Sequence, residues 1–207
     1  MSNRTLLSKE TYRQRGNYCV LASYGVAMKC FLGGTCDIAD FFRGYCEEMQ
    51  LGCRSSGVSR ALHEELYLLD FCTKTKVISG YNLFEKLHQS SDVSPFKDAR
   101  AVATVEHLYP PKDYAIIESK LKSQETSLAM VFVNQEVPVV SGQAITHIVR
   151  QNHSITVGHD QHGFYAYDVN RKLIATAPNI VDLGKSLSFL GPGDCLLFTG
   201  IPKPTQP

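Results

Sequence analysis

The 207-residue sequence has no surplus of charge of either sign: 21 Lys and Arg stand against 20 Asp and Glu, a formal net charge of +1. A polyanion-binding surface or an acidic tail needs a clear imbalance, so nucleic acid is not an expected partner. Long hydrophobic runs are missing too. The longest apolar stretch, Val20 to Leu32, is broken by Ser23 and Lys29 and is too short to span a bilayer. Met1 to Thr11 carries Arg4, Lys9 and Glu10 and no apolar core of a secretory signal. The expected location is therefore cytoplasmic, or outside the producing cell by a route that uses no signal peptide. There is no internal repeat, no low-complexity tract and no Ser/Gly linker. Cys-x-x-Cys pairs and zinc-ligand spacings are absent, Cys30 and Cys36 being the nearest pair, six apart. His159, Asp160 and His162 share one turn but fall short of a ligand set, so neither metal nor organic cofactor is expected.

A chain of this length is one large domain or two fused lobes, and it buries enough surface to need no disulfide or metal staple. Hydrophobic residues at 43% and charged ones at 20% are ordinary for a globular protein. Seven cysteines are an odd count, which a fully paired disulfide framework cannot absorb. Most of them read as small buried hydrophobes.

The first half reads as helical. Val20 to Phe31 is apolar almost all round, the pattern of a helix inside a core. Asp37 to Met49 predicts a second helix. Ser55 or Ser56 is placed to cap a third, with Val58, Ala61, Leu62, Leu66 and Leu69 on one face. Asn82 to His88 is a shorter one. In the second half Asp113 is placed to cap a helix with Tyr114, Ile117 and Leu121 as its apolar stripe. Leu128 to Val133 reads as a strand buried on both faces. His153 to Val157 and Phe164 to Val169 read as strands flanking the polar turn Gly158 to Gly163, and Cys195 to Ile201 as a last strand. Helices first and an antiparallel sheet afterwards predict an α+β fold. The expected domain is residues 1–202, with a helical lobe at about 12–110, a sheet lobe at about 111–201 and a loose tail at 203–207.

The densest chemistry lies in Gln14-Arg15-Gly16-Asn17-Tyr18-Cys19-Val20, where a glycine-containing loop gives way to the buried helix. The unpaired N–H groups and dipole of a helix N-terminus favour a thiolate, and the thiolate is the nucleophile. The Gln14 side chain lies near enough in sequence to supply, with the Cys19 N–H, a hydrogen-bond cradle for an oxyanion. The plainer alternative is one more buried thiol beside a loop glutamine. A thiolate also needs a base and the base an orienting group. A hairpin centred between Asp160 and Gln161 would oppose Val157 to Phe164, Ile155 to Ala166 and His153 to Asp168, placing imidazole and carboxylate on one face within reach. A one-residue slip would separate them. His147 would face Ile174 in that register, and His63, His88 and His107 lie outside any such setting.

The order Gln14, Cys19, His153, Asp168 resembles the papain-like cysteine peptidase superfamily. The Gln14–Cys19 spacing is similar to that of bacteriocin-leader peptidases, bacterial effector proteases and Josephin deubiquitinases. His153-Ser-Ile-Thr-Val-Gly with Tyr167-Asp168-Val169-Asn170 is similar to their His and Asp strands. The resemblance covers two windows of the chain. It departs from the common pattern at Val20, where Trp or Gly is frequent, and at Val169, where Pro is frequent. It implies a helical lobe whose central Cys helix packs on the sheet lobe, with Cys19 as nucleophile, His153 as general base and acid, Asp168 as orienter and Gln14 as oxyanion residue. It also implies proteolysis of a protein substrate, in a protease made active or delivered as an effector. Glutamine deamidation, deubiquitination and acyl transfer use the same machinery. The segment Asn134 to Asn152 would then border the cleft and touch substrate. A non-catalytic binding module on the same scaffold, or an unrelated α+β protein in which the four residues never meet, is the reading from a different class.

Overall fold

The computed structural model describes residues 3–10, 12, 18–49, 74–108, 114–123, 126–141, 144–170, 173–186, 194–201 and 203. The elements are α1 (Asn3–Ser8), α2 (Cys19–Phe31), α3 (Ile38–Glu48), α4 (Lys74–Ser90), α5 (Phe96–Arg100), β1 (Ala103–Leu108), α6 (Tyr114–Leu121), β2 (Thr126–Ser141), β3 (Ala144–Asp160), β4 (Gly163–Asp168), β5 (Leu173–Ala177), α7 (Ile180–Ser186) and β6 (Cys195–Gly200). The fold is α+β. Its six-stranded sheet runs in the order β1-β6-β2-β3-β4-β5, antiparallel throughout.

Helix α2 forms where the sequence is apolar on every side, and every residue of it except Lys29 is buried. Lys29 reaches the carboxylate of Glu10 at 2.5 Å, so the one charge on the helix is paired at its rim. Helix α3 starts at Asp37 because Asp37 accepts from the Ile38 N–H and Asp40 accepts from the Asp37 N–H, a reciprocal capping box. The short helix expected at Asn82–His88 is part of the 17-residue α4. The helix expected from Ser55 or Ser56, and the Asp113 cap, lie outside the described residues.

Two apolar layers sandwich the sheet. Leu128, Met130, Tyr165, Tyr167, Leu196 and Phe198 face the cluster built by α2, α3 and α4. Ala129, Val131, Ile155, Val157, Phe164 and Ala166 face Ile117 and Leu121 of α6 and Ile180 and Leu183 of α7. The alternation is the two-residue period of a strand, and it explains why Leu128 to Val133 carries no polar residue. The sheet takes in β1, at 103–108, ahead of the boundary expected near 111. Residue 203 also departs from a loose tail: the Lys203 N–H donates to the Phe31 carbonyl at 2.7 Å.

Strands β2 and β3 are long, and they pair with each other along nearly their whole length. Their outer neighbours are short: β6 covers β2 only over Thr126–Val131, and β4 covers β3 only over Thr156–Asp160. Of the segment Asn134 to Asn152, residues 134–141 and 144–152 are therefore the two-stranded ribbon beyond the six-stranded part of the sheet, with Ile145 and Ile148 exposed on it. Among the described residues no helix is long and apolar enough to cross a membrane.

Candidate active site

The hairpin between β3 and β4 closes on Asp160↔Gly163, one residue later than expected, with Gln161 and His162 at the turn. Gly163 has φ +103°, a conformation that suits glycine. Asp160 Oδ1 accepts from the Arg4 guanidinium at 2.9 Å and from the His162 N–H at 2.8 Å, which fixes the turn from outside and from within. The register is accordingly displaced by two from the expected one: Val157 faces Ala166, and His159 faces Phe164.

That displacement moves Asp168 from opposite His153 to the level of Ile155. A shift of two keeps every side chain on its own face, and a diagonal neighbour remains within reach of a long side chain. His153 Nε2 and Asp168 Oδ1 are 3.0 Å apart, both side chains buried. The same oxygen accepts from the Asn170 N–H at 2.9 Å. The carboxylate is thus fixed by the backbone that follows it, and it fixes the imidazole. Since Nε2 faces Asp168, Nδ1 is the ring nitrogen left for other proton chemistry.

Cys19 is the first residue of α2 and is fully buried. Tyr18, at the cap position, makes no side-chain cap bond, while its ring packs edge-on against Phe42 of α3 with centroids 4.8 Å apart. The first N–H groups of a helix have no acceptor within the helix. One turn further on, the Ser23 hydroxyl donates to the Ser154 carbonyl at 2.8 Å, and the Thr156 hydroxyl donates to the Ser23 carbonyl at 3.1 Å. These two bonds dock the helix of Cys19 onto the strand of His153. By alternation Ser154 and Thr156 turn toward α2, whereas His153, opposite Val133, shares the other face with Ile155 and Asp168. Gln14 lies outside the described residues.

None of the five described cysteines is in a disulfide: Cys19, Cys30, Cys46 and Cys195 are buried and Cys36 is half-buried. Burial pushes the Cys30 thiol up to about 12. Burial, then the carboxylates of Asp37 and Asp98, push Cys36 up to about 11. A cavity of about 410 Å³ lies at the opposite end of α2, lined among others by Cys36, Asp40, Arg43, Glu47, Asp98 and Lys203. It is about 18 Å along the helix from Cys19 and belongs to a different part of the fold.

No family model matches the chain, and no curated protein sequence matches it. Sequence reasoning picked out His153 and Asp168 but passed over Ser23, Ser154 and Tyr81. Their signal was a lone small hydroxyl one turn after Cys19 in an apolar helix, and hydroxyls alternating at 154 and 156 on an otherwise apolar strand.

Proposed function

We propose that the chain is a papain-like cysteine protease that cleaves a peptide bond of a protein substrate with Cys19, His153 and Asp168. The observation that carries this reading is the buried His153–Asp168 hydrogen bond, one residue from the point where the Cys19 helix is pinned to β3. A buried imidazole held by a carboxylate is the orienter-and-base half of a nucleophilic triad. By alternation His153 turns to the sheet face opposite the one that packs on α2, so the reading requires the thiol to meet the imidazole around the end of the β3–β4 ladder, beyond Thr156↔Tyr167.

In this mechanism His153 Nδ1 takes the Cys19 proton, and the thiolate attacks the carbonyl carbon. The Cys19 N–H and the Gln14 amide hold the oxyanion. The carbon–nitrogen bond then breaks, the imidazolium gives its proton to the leaving amine, and a thioester remains. Water attacks the thioester as His153 takes its proton; the carbon–sulfur bond breaks and the thiol is restored. Asp168 holds the ring in one orientation and stabilises its cation throughout.

The test is limiting iodoacetamide at neutral pH with the label mapped by mass spectrometry, in the unaltered chain and in His153→Ala. Preferential labelling of Cys19 that is lost in His153→Ala supports the reading; Cys19 labelling that is absent, or indifferent to His153, overturns it. Incubation with a protein mixture then separates outcomes: new N-termini mark proteolysis, and the small mass gain of an amide turned acid marks glutamine deamidation. Both signals should vanish in a folded Cys19→Ala.

A further inference from the structure

We infer that Ser23, Ser154 and Tyr81 form a buried clamp that sets the distance between Cys19 and His153, with Ser23 and Tyr81 as positioning residues of the reaction. The inference rests on the cysteine-protease reading above.

Ser154 is the residue after His153, and it is fully buried. Its carbonyl accepts from Ser23, one helical turn beyond Cys19, and its hydroxyl shares a 3.0 Å hydrogen bond with the hydroxyl of Tyr81. The return bond from Thr156 to the Ser23 carbonyl makes the contact reciprocal. Three elements, α2, β3 and α4, therefore meet at one serine next to the base.

Hydroxyls placed in an apolar interface cost stability unless paired, so packing alone does not explain them. An apolar contact between a helix and a sheet tolerates small sliding, because the hydrophobic effect has no direction. Hydrogen bonds of 2.8 to 3.1 Å do not tolerate it. Pairs of this kind specify a single docking. What they specify here is the height of Cys19 along β3, four residues or about 6 Å from Ser23 on the same helix face.

Tyr81 is suited to the part. Its ring is fully buried, with the His107 ring edge-on at a centroid distance of 6.2 Å. His107 is held in turn by Glu85, at 3.2 Å, one turn after Tyr81 on α4. Burial keeps the phenol protonated far above its ordinary range, and the Cys19 thiol is among the groups whose charge acts on it. The hydroxyl thus keeps its proton at the pH where a thiolate at Cys19 has to form.

Tyr81→Phe and Ser23→Ala each remove one hydroxyl and leave the apolar frame. The measurement is the rate of Cys19 alkylation by iodoacetamide from acid to alkaline pH, with Cys36 alkylation and the melting temperature followed in parallel. Loss of one buried hydrogen bond should slow Cys19 alkylation at neutral pH by about three- to tenfold and move its midpoint to higher pH. Cys36 should be unchanged. A lowered melting temperature with an unaltered Cys19 profile in both variants overturns the clamp alone, provided labelling in the parent chain depends on His153. If it does not depend on His153, the triad and the clamp fall together.

Discussion

His153 and Asp168 are hydrogen-bonded at 3.0 Å although the β3–β4 register places them diagonally rather than face to face. The imidazole must lean along the strand to make this bond, and Asp168 is kept in place by the Asn170 N–H on the same oxygen. Asp168→Asn retains an acceptor at Oδ1 but removes the charge that stabilises an imidazolium. Cys19 alkylation at neutral pH should fall about tenfold or more, and turnover of a protein substrate by about 10²- to 10⁴-fold. Circular dichroism should report an unchanged fold. Wild-type reactivity in Asp168→Asn would remove the carboxylate from the mechanism.

The thiols differ in what burial does to them. Cys36 is the most accessible of the described cysteines, yet burial and two carboxylates push it up to about 11, so it is almost wholly protonated at neutral pH. Without activation of Cys19, the slow label should reach Cys36 first among the described cysteines. With activation it should reach Cys19 first among them, despite its deeper burial. Peptide mapping at short reaction times reads the order directly.

Gly163 holds the turn that sets the β3–β4 register. At φ +103° an added Cβ would stand 2.9 Å from the Ala177 carbonyl oxygen. Gly163→Ala should therefore lose about 1–3 kcal/mol in denaturant unfolding. The loss should come with weaker His153-dependent labelling of Cys19, because the same turn aligns Asp168. Parental stability in this variant would contradict the turn described.

His88 supplies a pH dependence unconnected with catalysis. It is buried between the Tyr24 hydroxyl, 2.8 Å from Nδ1, and the Ala103 carbonyl, 2.9 Å from Nε2. Nε2 donates to the carbonyl, so Nδ1 accepts from the tyrosine and the neutral ring is the one that fits. Burial lowers its pKa below the ordinary 6.5. The unfolded chain then binds the proton more readily, so the contribution is complete above about pH 6.5, declines as pH falls, and stops changing below the folded-state pKa. Melting temperatures between pH 8 and 5 should drop in the parent chain and drop less in His88→Gln.

Most of the architecture could be read from local pattern. Apolar residues on all sides announced α2, Asp37 announced the start of α3, an uninterrupted apolar run announced the buried part of β2, and the polar, glycine-flanked turn announced the strands on either side of it, β3 and β4. The His153–Asp168 pair survived a wrong register because the face of a strand residue depends only on odd or even spacing. The register itself was not legible, since Asp160 takes its outer partner from Arg4, 156 residues away in the chain. Strand β1 escaped notice for a similar reason. Its apolar–polar alternation runs only from Ala103 to Glu106 before His107 interrupts it, and it is held by pairing with β6 near the far end of the sequence. Ser23 and Ser154 looked unremarkable singly; their meaning depends on a contact across 131 positions.

Helix α2 is a beam pinned at two stations: Ser23 on the Ser154 carbonyl, and Phe31 under the Lys203 N–H. The stations are about 12 Å apart along the axis. A rod held twice along its length does not travel like a piston. On the cysteine-protease reading the thiol would not advance on a polypeptide; the scissile carbonyl would be carried to a stationary sulfur, and fine adjustment would be left to the guest.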